Sequence, residues 1–126
     1  MSCKFYARGL HDNYLIETDT AKYILRIYRR EWRSTDEILF ELQLLLFLRE
    51  KNAGVSSPNQ TTEGKPGFFI DFPEGKRMAV LFDFADGHPP EKETLLETSR
   101  VLGRAVAGVH LASNDFVTEY ARPVLD

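Results

Sequence analysis

Glu41 is the first residue in this sequence whose placement demands a chemical explanation. It stands three residues after Ile38 and four before Leu45, inside the apolar stripe that Ile38, Leu42, Leu45 and Leu46 predict for a helix. A carboxylate in such a stripe is costly unless it reaches water or meets a cation. Arg26 is the natural cation, lying mid-strand among Ile24, Leu25 and Ile27. Two readings stay open: each side chain is solvated on its own, or a helix carboxylate holds a strand cation. The second arrangement can position the phosphates of a nucleotide. The loop Gly9-Leu10-His11-Asp12-Asn13 reads from its own residues as an ordinary hairpin turn, its one glycine being weak evidence for a cover over phosphates. In Phe82-Asp83-Phe84-Ala85-Asp86-Gly87 an apolar strand runs into an acidic and aromatic linker. Its backbone could hydrogen-bond an adenine ring, or it is a plain connection.

The elements that must position these residues are legible from punctuation. Strands are expected over 3–8, 13–18 and 22–28, with a turn at Asp19-Thr20. Alternation puts Tyr23, Leu25 and Ile27 on one face and Ile24, Arg26 and Tyr28 on the other. Ser34-Thr35-Asp36-Glu37 has the form of a capping box, so a helix is expected over 35–52, stopped near Asn52-Ala53-Gly54 and Pro58. Two further strands follow, 68–72 and 78–84, the latter apolar enough for burial on both faces. Residues 85–90 read as a linker, and 91–112 as a second helix with an apolar stripe at Leu95, Leu102, Val106 and Val109. Gly103, Ala105, Ala107 and Gly108 would let another element approach it closely. The tail, 113–126, shows no strong pattern. The fold class is α+β: an antiparallel five-stranded sheet with one packed helix, then a linker and one long C-terminal helix.

Composition narrows the function. With 126 residues the chain has room for one core. A net charge of -3 and a pI near 5.6 leave no global basic field, which argues against nucleic acid as a partner. A single cysteine, Cys3, excludes an internal disulfide and a cysteine-built zinc site, and a cytoplasmic setting is expected. The apolar cluster 42–48 is interrupted by Gln43 and too short to span a bilayer, so no membrane association is expected.

Five segments then stand in a telling order. They are the loop from Gly9 to Ile16, Lys22-Tyr23-Ile24-Leu25-Arg26-Ile27-Tyr28-Arg29, the stretch from Glu37 to Leu45, the stretch from Ala79 to Gly87, and Leu102 to His110. This order resembles the aminoglycoside phosphotransferase family, which is similar to protein kinases and includes choline-kinase-like and homoserine-kinase-like enzymes. The resemblance implies a kinase N-lobe over 1–84, a hinge over 85–90, and the start of a C-terminal lobe over 91–126. It implies that Gly9, His11 and Asn13 belong to the nucleotide-covering loop, that Arg26 is directed at the phosphates, and that Glu41 is its helix partner. Phe82, Asp83 and Phe84 become the hinge that frames adenine, Gly87 the turn after it, and His110 a packing residue rather than a catalyst. The implied cofactor is ATP, with Mg2+ only where a second lobe is present.

One departure matters. The family's His-Gly-Asp catalytic loop and its later metal-holding Asp have no counterpart, because none of His11, His88 and His110 begins a His-x-Asp motif. In-line phosphoryl transfer needs an oriented acceptor and a neutralising metal. The expectation is therefore the N-terminal ATP-binding lobe, truncated or a fragment, of a small-molecule phosphotransferase, inactive alone and with its acceptor undetermined. The alternative is a non-catalytic binding module that meets a missing C-terminal lobe or associates with itself, for example as a helix-exchanged dimer. A third reading, an unrelated α+β protein, requires Arg26 and Glu41 to be unpaired.

Overall fold

Three strands come first in the computed structural model, which describes residues 1–120. β1 (Ser2–Arg8), β2 (Asp12–Glu17) and β3 (Lys22–Ile27) form an antiparallel meander. The β2–β3 turn is closed by Thr18, whose hydroxyl accepts from the Ala21 amide at 3.1 Å. β1 carries a bulge: Phe5 opposes Tyr14 but Ala7 opposes Asn13, leaving Tyr6 as the extra residue. The slip brings Arg8 opposite Asp12, and the two pair at 2.9 Å.

α1 (Thr35–Glu50) follows. The Ser34 side chain accepts from the Glu37 amide at 3.2 Å, as the capping box predicts. The return bond is replaced by an ion pair of Glu37 with Arg33 at 3.6 Å. At the other end the Ala53 amide reaches back to the Leu48 carbonyl and the Asn52 amide to that of Arg49. Asn52, at φ 60°, takes the left-handed position, so the helix ends two residues before the expected boundary.

The sheet has six strands where five were expected. β4 (Pro58–Asn59), β5 (Phe68–Phe72) and β6 (Gly75–Asp83) complete it in the order β1-β2-β3-β6-β4, with β5 also paired to β6. β4 has two residues and begins with proline, so neither alternation nor propensity could reveal it. β6 is flanked on both sides, which explains its continuous apolar run.

The core lies between this sheet and α1. Tyr28, Met78, Val80 and Phe82 from the sheet meet Ile38 and Leu42 from the helix, with Ile24, Leu39 and Leu45 around them. Burying each large apolar side chain here contributes about 1.5–3 kcal/mol. Arg26 shares the parity of Ile24 and Tyr28 and therefore faces α1.

Beyond β6, a 3-10 turn (Lys92–Thr94) leads into α2 (Leu95–Ser113), which starts four residues later than expected. Its stripe is exposed: Leu95, Leu102 and Val106 are 50%, 62% and 44% accessible. Nothing lies within 4 Å of where a Cβ would stand on Gly103 or Gly108, so the small-residue face meets no other element here. His110, expected as a packing residue, is exposed for the same reason. The chain then turns back onto α1, where the Phe116 ring sits 5.7 Å from Phe40 and 5.3 Å from Phe47. Residues 121–126 of the expected tail lie outside the described residues. Among the described residues no helix is long and apolar enough to cross a membrane.

Candidate functional site

The strand register builds the site outward from Arg26. On β2 its neighbour is Asn13, whose side-chain oxygen accepts from Arg26 Nε at 3.3 Å. From α1, Glu41 Oε1 accepts from Arg26 Nη1 at 3.3 Å. The Tyr28 hydroxyl donates to the same oxygen at 3.4 Å. Glu41 therefore resolves the conflict of a carboxylate in an apolar stripe by pairing, and the reading that needed it unpaired is set aside. The guanidinium also lies 4.8 Å from the Phe82 ring centre and 5.8 Å from that of Tyr28. Nε and Nη1 are thus engaged, while Nη2 carries no hydrogen bond to the described residues.

Arg26, Glu41, Phe82, Asp83 and Phe84 line one cavity of about 390 Å3. Tyr6, Ile24 and Leu45 supply more of its apolar wall. Tyr6 gets there through the β1 bulge and meets Phe84 edge to face at 6.2 Å. The result is an apolar slot with a cation at one end and the end of β6 at the other. That shape suits a flat heteroaromatic ring carrying an anionic tail.

Asp83 has a more local task. Its carboxylate accepts from Asn59 at 2.8 Å and from the Ser57 hydroxyl at 3.4 Å. Its carbonyl accepts from the Ser56 hydroxyl at 2.6 Å, and its amide donates to the Ser57 carbonyl at 3.1 Å. Asp83 thus anchors β4 to the end of β6, and Arg49 ties Ser57 to α1 at 3.4 Å.

Gly9 and His11 do not join this cavity. They line another, of about 420 Å3, at the tip of the β1–β2 hairpin. His11 Nδ1 accepts from the Arg29 amide at 2.9 Å, and its ring lies 4.6 Å from that of Tyr28. Burial, then the charges of Arg26, Arg33 and Arg77, push the imidazole down to about 4. The ring is therefore neutral at pH 7, with its proton on Nε2. Burial and the Glu41 charge raise the Tyr28 phenol, which stays a donor. A further cavity, of about 670 Å3, lies between α1 and the 59–69 segment and contains none of the expected residues.

Sequence reasoning missed Tyr6, Tyr28 and Ser56 as site residues. Tyr28 had a signal, since alternation already placed it on the Arg26 face. Tyr6 had none, because a bulge leaves no mark in apolar periodicity. Glu41 and Asp83, the carboxylates of the cavity, each accept from protein donors, and the described residues contain no group of three potential metal ligands. The slot by itself does not fit a metal ion.

A strand cation gripped by a helix carboxylate, on an antiparallel sheet whose last long strand ends at an apolar slot, defines a kinase-type N-terminal lobe. The chain belongs to the phosphotransferase enzyme family, whose model matches residues 2–123. An uncharacterised protein of Synechocystis is 39% identical over 98% of this chain and 34% of its own length. A homoserine kinase of a Bradyrhizobium species is 32% identical over 92% of the chain and 34% of its own. Among solved structures, a microcompartment-associated aminopropanol kinase superposes with a TM-score of 0.81 at 24% identity, over 99% of this chain and 40% of that one. An amicoumacin kinase solved with AMP-PNP and Ca2+ gives 0.82 at 20% identity, over 93% and 36%. The chain thus spans about a third of the length of the curated relatives it matches.

Proposed function

We propose that this chain forms the ATP-binding lobe of a small-molecule phosphotransferase, which passes the terminal phosphoryl group of ATP to a hydroxyl. The observation that carries this reading is Arg26, fixed by Glu41 and Asn13, at one end of the same slot that Phe82 and Phe84 line. Adenine enters between Tyr6, Ile24, Phe82 and Leu45, and its edge meets the backbone beyond Asp83. The phosphates extend toward Arg26 beneath the β1–β2 hairpin, with Asn13 orienting the guanidinium. Residues 1–84 act as this lobe, 85–90 as the hinge, and the segment from 91 as the beginning of a second lobe. That lobe would supply acceptor, catalytic carboxylate and Mg2+, and would cover the apolar side of α2. The bound form of AMP-PNP in one structural relative supports a nucleotide, and a cytoplasmic setting supplies one. A second reading, a non-catalytic module that associates with itself, is favoured by the exposed Leu95, Leu102 and Val106 on α2.

Calorimetric titration of the chain with AMP-PNP tests the first reading. Arg26→Ala is expected to weaken binding about tenfold, or ~1.4 kcal/mol. Unchanged affinity in that variant would remove Arg26 from the site.

A further inference from the structure

The cavity at the hairpin tip is not part of the nucleotide slot. Asp12 and Arg77 have the opposite parity to Asn13 and Val80, and Arg8 bonds to Asp12. Arg8, Asp12 and Arg77 therefore line the cavity from the sheet face turned away from α1, while His11, against Tyr28, closes it at the hairpin tip. Its walls carry four guanidiniums, Arg8, Arg29, Arg30 and Arg77, against two carboxylates, Asp12 and Glu74. This is a local reversal of charge in a chain whose net charge is -3.

The charges divide into scaffold and free donors. Arg77 is 13% exposed and donates to the Tyr28 carbonyl at 3.0 Å and to Asp12 at 3.2 Å, with Glu74 at 3.9 Å. Asp12 accepts from Arg8 as well, at 2.9 Å. Asp12 is thus engaged by both Arg77 and Arg8, while the exposed Glu74 makes only the long contact with Arg77. Arg29 has no carboxylate within 4.0 Å among the described residues; its guanidinium lies 5.9 Å from the Trp32 ring centre. Arg30 meets only the exposed Glu31, at 3.7 Å. Its guanidinium is seated over Gly75, where a Cβ would stand 3.1 Å from it and where φ is 127°. A side chain at that position would both strain the backbone and displace Arg30.

We propose that this cleft is a second anion site, in which Arg29 and Arg30, with Arg8 at the rim, bind the phosphate group of a small ligand. Planar guanidinium forks match tetrahedral oxyanions and are weakly hydrated, so Arg29, with no carboxylate partner among the described residues, and Arg30, held only by the exposed Glu31, favour phosphate over chloride in one concavity. The Gly9–His11 strip lines this cleft and its continuation, Asn13, holds Arg26, so the two sites share the hairpin tip without sharing donors.

The test is titration of the chain with inorganic phosphate at ionic strength held constant with potassium chloride. Saturable binding is expected. It should weaken at least tenfold in the Arg29→Ala/Arg30→Ala variant and stay within twofold in Arg26→Ala. Because Arg29 and Arg30 are exposed, the double variant should keep its thermal midpoint, which confirms that it folds. Phosphate should still bind when AMP-PNP is saturating. A parallel titration with glycerol phosphate separates the sources: tighter binding assigns the cleft to a phosphate ester, weaker binding to the free ion. Absence of saturable phosphate binding overturns the proposal. So does displacement of phosphate by AMP-PNP, or loss in Arg26→Ala with the double variant unaffected. If AMP-PNP fails to bind while the double variant still loses phosphate, the nucleotide reading fails and this one stands.

Discussion

At the scale of the residue, Arg26 and Glu41 hold each other in place rather than holding the fold together. Both are partly exposed, and a pair of this kind contributes about 1 kcal/mol or less. Its worth lies in aim: Asn13, Glu41 and two aromatic rings fix one edge of the guanidinium, leaving Nη2 for a ligand. His11 has the opposite character. Its folded value lies near 4 against 6.5 when unfolded, so the unfolded chain binds the extra proton between those values. Stability is full above about pH 6.5 and is lost as pH falls toward 4. Between pH 7 and pH 5 the chain should lose about 1 kcal/mol by this route, after allowance for partial solvation. Denaturant midpoints across that range would show it. His11→Asn, which keeps an acceptor for the Arg29 amide, should flatten the dependence, and an equally steep curve in that variant would exclude His11 as its source.

At the scale of the element, α1 is the piece that makes the site. It is capped by Ser34, stopped by Asn52 and buried through Ile38, Leu42 and Leu48. Its outer side is held by the segment after α2: Phe116 packs on Phe40 and Phe47, Thr118 donates to Gln43, and Asp115 faces Lys51 at 4.0 Å. These contacts join the far end of the described chain to the helix that carries Glu41. Phe116→Ala should cost about 1–2 kcal/mol, since two aromatic contacts and half-buried area are lost. For a domain of this size that is a fall of several degrees in thermal midpoint. A midpoint unchanged within error would mean that the segment does not hold α1 in solution.

At the scale of the whole molecule, one half of the chain has a core and the other lacks cover. The sheet and α1 bury Leu42, Ala79 and Val80 completely, whereas Leu96 and Leu111 on α2 are each 72% exposed. A patch of that kind calls for a second lobe or a second copy. The sequence carries no His-Gly-Asp, and in-line transfer needs an oriented acceptor and a neutralising metal. The purified chain should therefore release no ADP above buffer in the presence of ATP and Mg2+, and its sedimenting mass should rise with concentration. Magnesium-dependent turnover by this chain would refute the first expectation, and a strictly monomeric profile the second.

Much of this was legible in the residues. β5 lies where its apolar and aromatic run predicted, and the Ser34 cap works as its spacing implied. A carboxylate in an apolar stripe left pairing with Arg26 as one of two readings, and the structure selects it. These are local or periodic properties, and such properties are written directly in sequence. The two-residue strand β4, the bulge that turns Tyr6 into the slot, and the commitment of Asp83 to Ser57 and Asn59 had no such signal. Nor did the separation of Gly9 and His11 from Arg26 into a different cavity. Alternation states which face of its own strand a side chain takes. Which cavity that face borders depends on register and on what the neighbouring strand brings opposite, and only the assembled sheet decides it.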